Sequence, residues 1–303
     1  MSNILLLSGA KHLHKPLQEA IFKRNLRFSV HEVDHVYFPD TEQYVRIPVE
    51  KGLPNIVIQS MYSEPDRRII ESILATRTLK DLGVNYLIGF FTYLAYARQD
   101  RRIKEGEAIS QKIIIECLFN AGIDKAYVFE IHTRNESALF KNFNITNLSC
   151  VKLFADYYVE FKGRKDLKII SPDSGSYNMA SELAKLLEVN SGFCSKKRIS
   201  GSEVKVGEVS TEVNGYDVIL IDDIISTGNT MSEAIELLRN KGAVNIFVTA
   251  THGLFVGNAV DKLKSLKVKD IVTTNTVMNE FAKIDISGMI VDEISKLENH
   301  VKH

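Results

Sequence analysis

Short apolar runs alternate with longer segments of helical period along the whole chain, and this alternation restricts the fold more than any other feature. Ile4–Leu7 is strand-like and precedes a helical pattern with Leu17, Ala20 and Ile21 on one face. Asn55–Gln59 reads as the next strand, and after Glu64-Pro65-Asp66 a helix carrying Ile69, Ile70, Ile73 and Leu74 runs up to Gly83. Proline near a helix start and glycine past its end are where helix termini favour them. Tyr86–Phe91 then reads as a strand, Ile109–Ala121 as a helix closed by Gly122, and Ala126–Ile131 as a strand. Continuous apolar strands separated by helices need cover on both faces, which βα units around a mostly parallel sheet supply.

The second half repeats the plan. Strands are expected at Leu167–Ile170, Val218–Ile221, Ile246–Thr249 and Asp270–Thr273, and helices at Asn178–Leu187, Met231–Lys241 and Val256–Leu266. A chain of 303 residues is about two domains long at roughly 150 residues each. The Asn- and Thr-rich stretch Asn142–Ser149 is the natural cut, giving domains 1–146 and 147–303 of one α/β plan.

Charge and cysteine usage narrow the function classes. Lys plus Arg number 38 and Asp plus Glu number 38, a net charge of zero, so no bulk field draws the chain to nucleic acid or to anionic lipid. Cys117, Cys150 and Cys194 are too widely spaced for a zinc knuckle or a secreted disulfide framework. No window approaches the ~18 apolar residues of a membrane span, and the apolar run after Met1 is too short for a signal-peptide core. A cytoplasmic, soluble protein with neither nucleic-acid nor membrane partners is expected.

In open α/β sheets ligands sit off the carboxyl ends of strands. Three such ends carry chemistry: Ile131 is followed by His132, Ile170 by Ser171-Pro172-Asp173-Ser174-Gly175, and Ile221 by Asp222-Asp223-Ile224-Ile225-Ser226-Thr227-Gly228-Asn229-Thr230. Adjacent carboxylates ending a buried strand need compensation, which ribose hydroxyls or a cation can give. Thr227–Thr230 leads into a helix start, where backbone N–H groups, hydroxyls and the positive helix end suit a phosphate. A sugar phosphate satisfies both halves of the run.

The Asp222–Thr230 run resembles the phosphoribosyl-diphosphate-binding motif of the type I phosphoribosyltransferase fold. By itself it leaves open the transferases that consume phosphoribosyl diphosphate and the synthetase family that makes it. Phe38-Pro39-Asp40-Thr41-Glu42, Tyr96-Ala97-Arg98-Gln99-Asp100-Arg101-Arg102, His132, Ser171-Pro172-Asp173, Lys196-Lys197-Arg198 and Thr251-His252-Gly253-Leu254-Phe255 are similar to the synthetase (ribose-phosphate diphosphokinase) family in order and approximate spacing, over nearly the whole chain. The resemblance implies two tandem phosphoribosyltransferase-like domains, each a mostly parallel sheet flanked by helices, with ATP on the N-terminal side and the ribose phosphate on the C-terminal side. It implies transfer of the diphosphoryl group of ATP to the anomeric hydroxyl of ribose 5-phosphate, with Mg²⁺ as cofactor and AMP leaving.

The same resemblance assigns roles. Phe38, Asp40, Glu42, Arg98, Gln99, Asp100 and His132 would bind ATP, the first three in the site of a neighbouring subunit, which implies a homo-oligomer. His132 and Asp173 would hold Mg²⁺. Lys196 and Arg198 would be catalytic, on a cation-rich stretch, Gly192–Gly207, whose scarcity of large apolar residues suggests a mobile loop, with a solvated hairpin as the alternative. Asp222, Asp223, Ser226, Thr227, Gly228, Asn229 and Thr230 would hold the ribose phosphate. Thr41, Arg134-Asn135, Ser176, Ser226 and Asn229 depart from the commonest family pattern and cluster more around the acceptor than around ATP. Two further readings stay open: the same transfer to a ribose with a larger 5′ substituent such as ADP-ribose, and a catalytically silent regulatory subunit.

Overall fold

The computed structural model describes residues 3–49, 52–131, 142–198 and 204–301. Two compact units emerge, Met1–Leu148 with Asp285–His303, and Ser149–Ile284.

The described strands of the first unit are β1 (Asn3–Leu6), β2 (Ser29–Glu32), the hairpin pair β3 (Asp34–Tyr37) and β4 (Gln43–Arg46), β5 (Ile56–Ser60), β6 (Ile88–Tyr93), β7 (Lys125–Phe129) and β8 (Ile145–Leu148). Its main sheet runs β2-β1-β5-β6-β7-β8, with every pairing parallel. β1 and β5 are buried at every position, as a strand covered on both faces must be. The helices are α1 (His14–Lys23), α2 (Pro65–Asp81) and α3 (Ser110–Ala121). Pro65 opens α2, where its missing N–H costs no helical bond, and Gly122 closes α3 at a φ of 126°.

The buried face of α2 is partly polar. Ile70 and Leu74 are exposed, whereas Ile69, Glu71, Ser72, Ala75, Thr76 and Leu79 are buried.

The second unit contains β9 (Leu167–Ser171), β10 (Asn190–Arg198), β11 (Val204–Val209), β12 (Asp217–Ile225), β13 (Ile246–Gly253), β14 (Asp270–Thr274) and β15 (Ala282–Ile284). They form one sheet in the order β11-β10-β9-β12-β13-β14-β15, parallel except for the β10–β11 pair. The helices are α4 (Val151–Tyr157), α5 (Tyr177–Leu187), α6 (Asn229–Asn240) and α7 (Ala259–Ser265). Val218 and Leu220 of β12 meet Ile235 and Leu238 of α6 and Val248 of β13 in a core without solvent contact.

Two expectations change here. β12 does not stop at Ile221: its ladder with β13 continues through Asp222 opposite Ala250 to Ile225 opposite Gly253, so both carboxylates lie within the strand. Gly192–Gly207 is not simply a loop, because an antiparallel ladder holds its described residues from Cys194 opposite Val209 to Arg198 opposite Val204.

The cut near residue 147 also does not carry a single segment to the C-terminus. Helix α8 (Ser287–Val301) groups with the first unit and packs on α1. Ile290, Val291 and Ile294 are at most 1% exposed, and Arg24 Nε and Nη2 reach the Asp292 carboxylate at 2.6 and 3.1 Å. The apolar stripe of α8 needs a partner, and α1 supplies it. Among the described residues no helix is long and apolar enough to cross a membrane.

Candidate active site

In the second unit the chain leaves β9 for β10 on one side and returns as β12 on the other, so the sheet reverses its strand order between β9 and β12. Ligand crevices form off the carboxyl ends of such strands. The loop after β9 is built around Asp173: its Oδ1 accepts the Gly175 N–H at 2.8 Å, and Ser171 Oγ donates to the Asp173 carbonyl at 2.7 Å. A Cβ on Gly175 would lie 2.9 Å from Asp173 Oδ1, so any side chain there must push that carboxylate aside.

Asp222 and Asp223 stand beside that loop, half-buried. Burial, reinforced by the neighbouring Asp223 carboxylate, pushes the Asp222 carboxyl well above the usual carboxylate range, and Asp173 adds to the repulsion. The neighbouring Ser176 side chain opposes the shift. Asp173, Asp222 and Asp223 thus concentrate negative charge on one crevice, a setting that favours a cation or hydroxyl donors.

After β12 the chain turns at Ser226–Gly228 into α6. Val256 N–H donates to the Ser226 carbonyl at 2.9 Å, and Gly228 sits in left-handed backbone with φ 75°, which glycine adopts without strain. The first helical bond, Ser232 N–H to Gly228 O at 2.8 Å, leaves the amides ahead of it without helical acceptors. Thr227 and Asn229 are exposed and Thr230 is half-buried. Asn229 accepts a hydrogen bond from Lys262 of α7, bringing an ammonium group to the loop.

The first unit gathers Phe38, Asp40 and Glu42 on the exposed β3–β4 turn. Phe38 N–H donates to the Glu42 carbonyl at 2.8 Å, Asp40 Oδ1 accepts the Glu42 N–H at 3.1 Å, and Thr41 takes a φ of 74°. Phe38 is 49% exposed and lies 6.0 Å from the Tyr44 ring. Arg98, Gln99 and Asp100 follow β6. The Gln99 carbonyl accepts the Gln111 N–H at 3.3 Å, and Glu107 gathers the N–H groups of Ile103 and Lys104, which hold its carboxyl below the usual range. Lys196 and Arg198 occupy β10 opposite Val206 and Val204. His132, Arg134 and Asn135 lie outside the described residues.

Lys262, which meets Asn229 at this loop, carried no signal in the sequence, since one lysine on a short helix resembles any solvated charge.

Family models match residues 4–122 as the N-terminal domain of ribose phosphate pyrophosphokinase and residues 195–301 as the phosphoribosyl synthetase-associated domain. The ribose-phosphate pyrophosphokinase of Pyrococcus abyssi is 39% identical over 284 residues, covering 94% of this chain and 95% of that protein. The chain belongs to the ribose-phosphate pyrophosphokinase family. The family member from Methanopyrus kandleri is 33% identical, over 88% of this chain and 90% of its own. A crystal structure of phosphoribosylpyrophosphate synthetase from Mycobacterium smegmatis matches with a TM-score of 0.84 at 25% identity, covering 99% of this chain and all of that one. This pyrophosphokinase family member is therefore an enzyme with the phosphoribosyltransferase-type α/β fold.

Proposed function

We propose that the chain catalyses Mg²⁺-dependent transfer of the diphosphoryl group of ATP to the anomeric hydroxyl of ribose 5-phosphate, giving 5-phosphoribosyl 1-diphosphate and AMP. The observation that carries this reading is the β9–β12 crevice, where the carboxylates of Asp222 and Asp223 and the Ser226–Thr230 turn share one end of the sheet. Its support comes also from relatives named ribose-phosphate pyrophosphokinase.

The chemistry divides between the two parts of the crevice. Ribose hydroxyls donate to Asp222 and Asp223, while the 5-phosphate takes the amides and hydroxyls of Ser226, Thr227, Gly228, Asn229 and Thr230 at the positive end of α6. The anomeric hydroxyl oxygen then bonds to the β-phosphorus, its proton passing to water, as the bond from that phosphorus to the AMP oxygen breaks and AMP leaves. Charge grows on the transferring group, and Lys196 and Arg198 are the cations assigned to meet it. Phe38 offers an exposed ring on which adenine can stack. With Asp40 and Glu42 it would serve the ATP site of a neighbouring copy, and Arg98, Gln99 and Asp100 would hold ATP within their own chain.

Among the described residues no group of three or more His, Cys, Asp or Glu side chains is arranged to hold a metal ion. Mg²⁺ keeps much of its water and binds through one or two carboxylates plus substrate phosphates, so it needs no such group. Asp173 supplies such a carboxylate, and His132 is the second residue assigned to the ion. Mg²⁺ bound with ATP neutralises phosphate charge and polarises the β-phosphoryl group.

Incubation with Mg²⁺-ATP and each acceptor, followed by measurement of AMP, tests the reading. AMP is expected with ribose 5-phosphate. Release with ADP-ribose alone would assign the larger acceptor, and release with neither would leave a silent subunit.

A further inference from the structure

The first unit has its own topological switch point, between β1 and β5, where β2 continues the sheet on one side and β6 on the other. It corresponds in topology to the β9–β12 crevice of the second unit. Here the residues after β1 and at the end of β5 are turned inward onto one side chain from α2. Glu71 is 0% exposed. Its Oε1 accepts the Ser8 N–H at 2.7 Å, and its Oε2 accepts the Ser8 hydroxyl and the Gln59 Nε2 at 2.9 Å. Arg68 Nη1 lies 3.6 Å from the same oxygen.

The donors are set in place independently of Glu71. Gln59 Oε1 accepts the Gly9 and Ser60 N–H groups at 2.9 and 3.2 Å, which turns its amide nitrogen toward the carboxylate. A Cβ on Gly9 would lie 2.1 Å from the Ser60 carbonyl oxygen, so the β1 turn can approach β5 only with glycine there. Arg68 is held independently of Glu71 by Glu64, whose Oε2 lies 3.5 Å from Nη2, and by the Ser8 hydroxyl, which accepts from Nη1. A backbone amide, a hydroxyl, an amide nitrogen and a guanidinium converging on two oxygens form an oxyanion cradle of the kind other proteins offer to a ligand.

We propose that the β1–β5 crevice is an oxyanion-binding site permanently occupied by the protein's own carboxylate, Glu71, and that it takes a small free carboxylate once that side chain is removed. The self-occupied crevice leaves the β9–β12 crevice as the one open to a phosphate-bearing ligand. Replacing Glu71 by alanine deletes one methylene and the carboxylate, the heavy atoms of acetate, and leaves every donor in place.

Thermal unfolding of full-length Glu71→Ala in sodium acetate and in sodium chloride, at one pH and ionic strength, tests this. Glu71→Ala should melt below the unmodified protein in chloride, since buried donors have lost their acceptor. Acetate should raise its midpoint by about 3–10 °C relative to chloride, as expected for a ligand that binds only the folded state. Propionate, one carbon too large, should do less. The unmodified protein and Glu71→Gln, whose side chain fills the space, should respond alike to both salts. If Glu71→Ala is unfolded in chloride, refolding from denaturant in acetate replaces the melt, and recovery only in acetate supports the site. An equal response to both salts, a variant as stable as the unmodified protein, or failure to fold in either salt overturns it.

Discussion

Asp222 Oδ1 accepts the Asp223 N–H at 3.0 Å, holding the two adjacent carboxylates at one point of β12. Asp222 lies between opposing influences, with burial and Asp223 favouring the protonated acid and the Ser176 side chain favouring the carboxylate.

Asp222→Asn should trade function for stability in a pH-dependent way. Because the folded pKa of Asp222 is raised, the unfolded chain releases this proton first as pH climbs. Stability is therefore lost from the ordinary carboxylate range up through the folded value. The midpoint of Asp222→Asn minus that of the unmodified protein should grow from pH 4 to pH 8 without ligand, while AMP formation falls sharply. A difference independent of pH would refute the raised pKa.

Lys196→Ala tests the assigned cation. Removing a charge that acts mainly on the transition state costs about 10²–10³ in kcat, so steady-state AMP release should fall by that factor while ATP binding, measured by titration, changes far less. Comparable losses in both would make Lys196 a binding residue instead.

Gly175→Ala should damage the site with little cost to the fold. The added Cβ lies 2.9 Å from Asp173 Oδ1 and must displace that carboxylate from its Gly175 N–H bond. A raised Mg²⁺ requirement for turnover is expected, with stability changed by about 1 kcal/mol or less. An unaltered Mg²⁺ titration would show that the turn is dispensable.

The return of α8 to the first unit is testable by stability alone. Ile294, 1% exposed, should cost about 2–5 kcal/mol when truncated to alanine. Arg24→Ala, which breaks a more exposed pair with Asp292, should cost about 1 kcal/mol or less. Denaturant melts of both variants give the comparison, and equal losses would mean that the helix is held by charge.

Phe38→Ala should spare stability and raise the KM for ATP. A half-exposed ring on a surface hairpin contributes little to folding, within about 0.5 kcal/mol. A variant that melts early at unchanged KM would give Phe38 a structural role instead.

Much of this architecture was legible before the structure. The expected strand at Asn55–Gln59 is observed at Ile56–Ser60, and the expected helix at Asn178–Leu187 is observed at Tyr177–Leu187. Strand ends were less legible. Ile221 looked terminal because charge follows it, yet β12 runs on through Asp222 and Asp223 because β13 offers ladder partners as far as Gly253. Backbone pairing outweighed side-chain polarity, and the cost appears as the raised pKa of Asp222.

The order of apolar runs alone determined the α/β plan and its duplication, since local periodicity reports which side chains must leave water. The Asp222–Thr230 run alone singled out the sheet end proposed above for a sugar phosphate. Only the tertiary structure decided that Glu71 is buried, through donors 63 residues away at Ser8, and that the last helix joins the first unit, where Ile290, Val291 and Ile294 are buried and Arg24 meets Asp292, 268 residues apart. Such choices depend on partners that local sequence does not contain. A buried carboxylate or a wandering helix is stable only once distant donors and apolar faces have been brought to it.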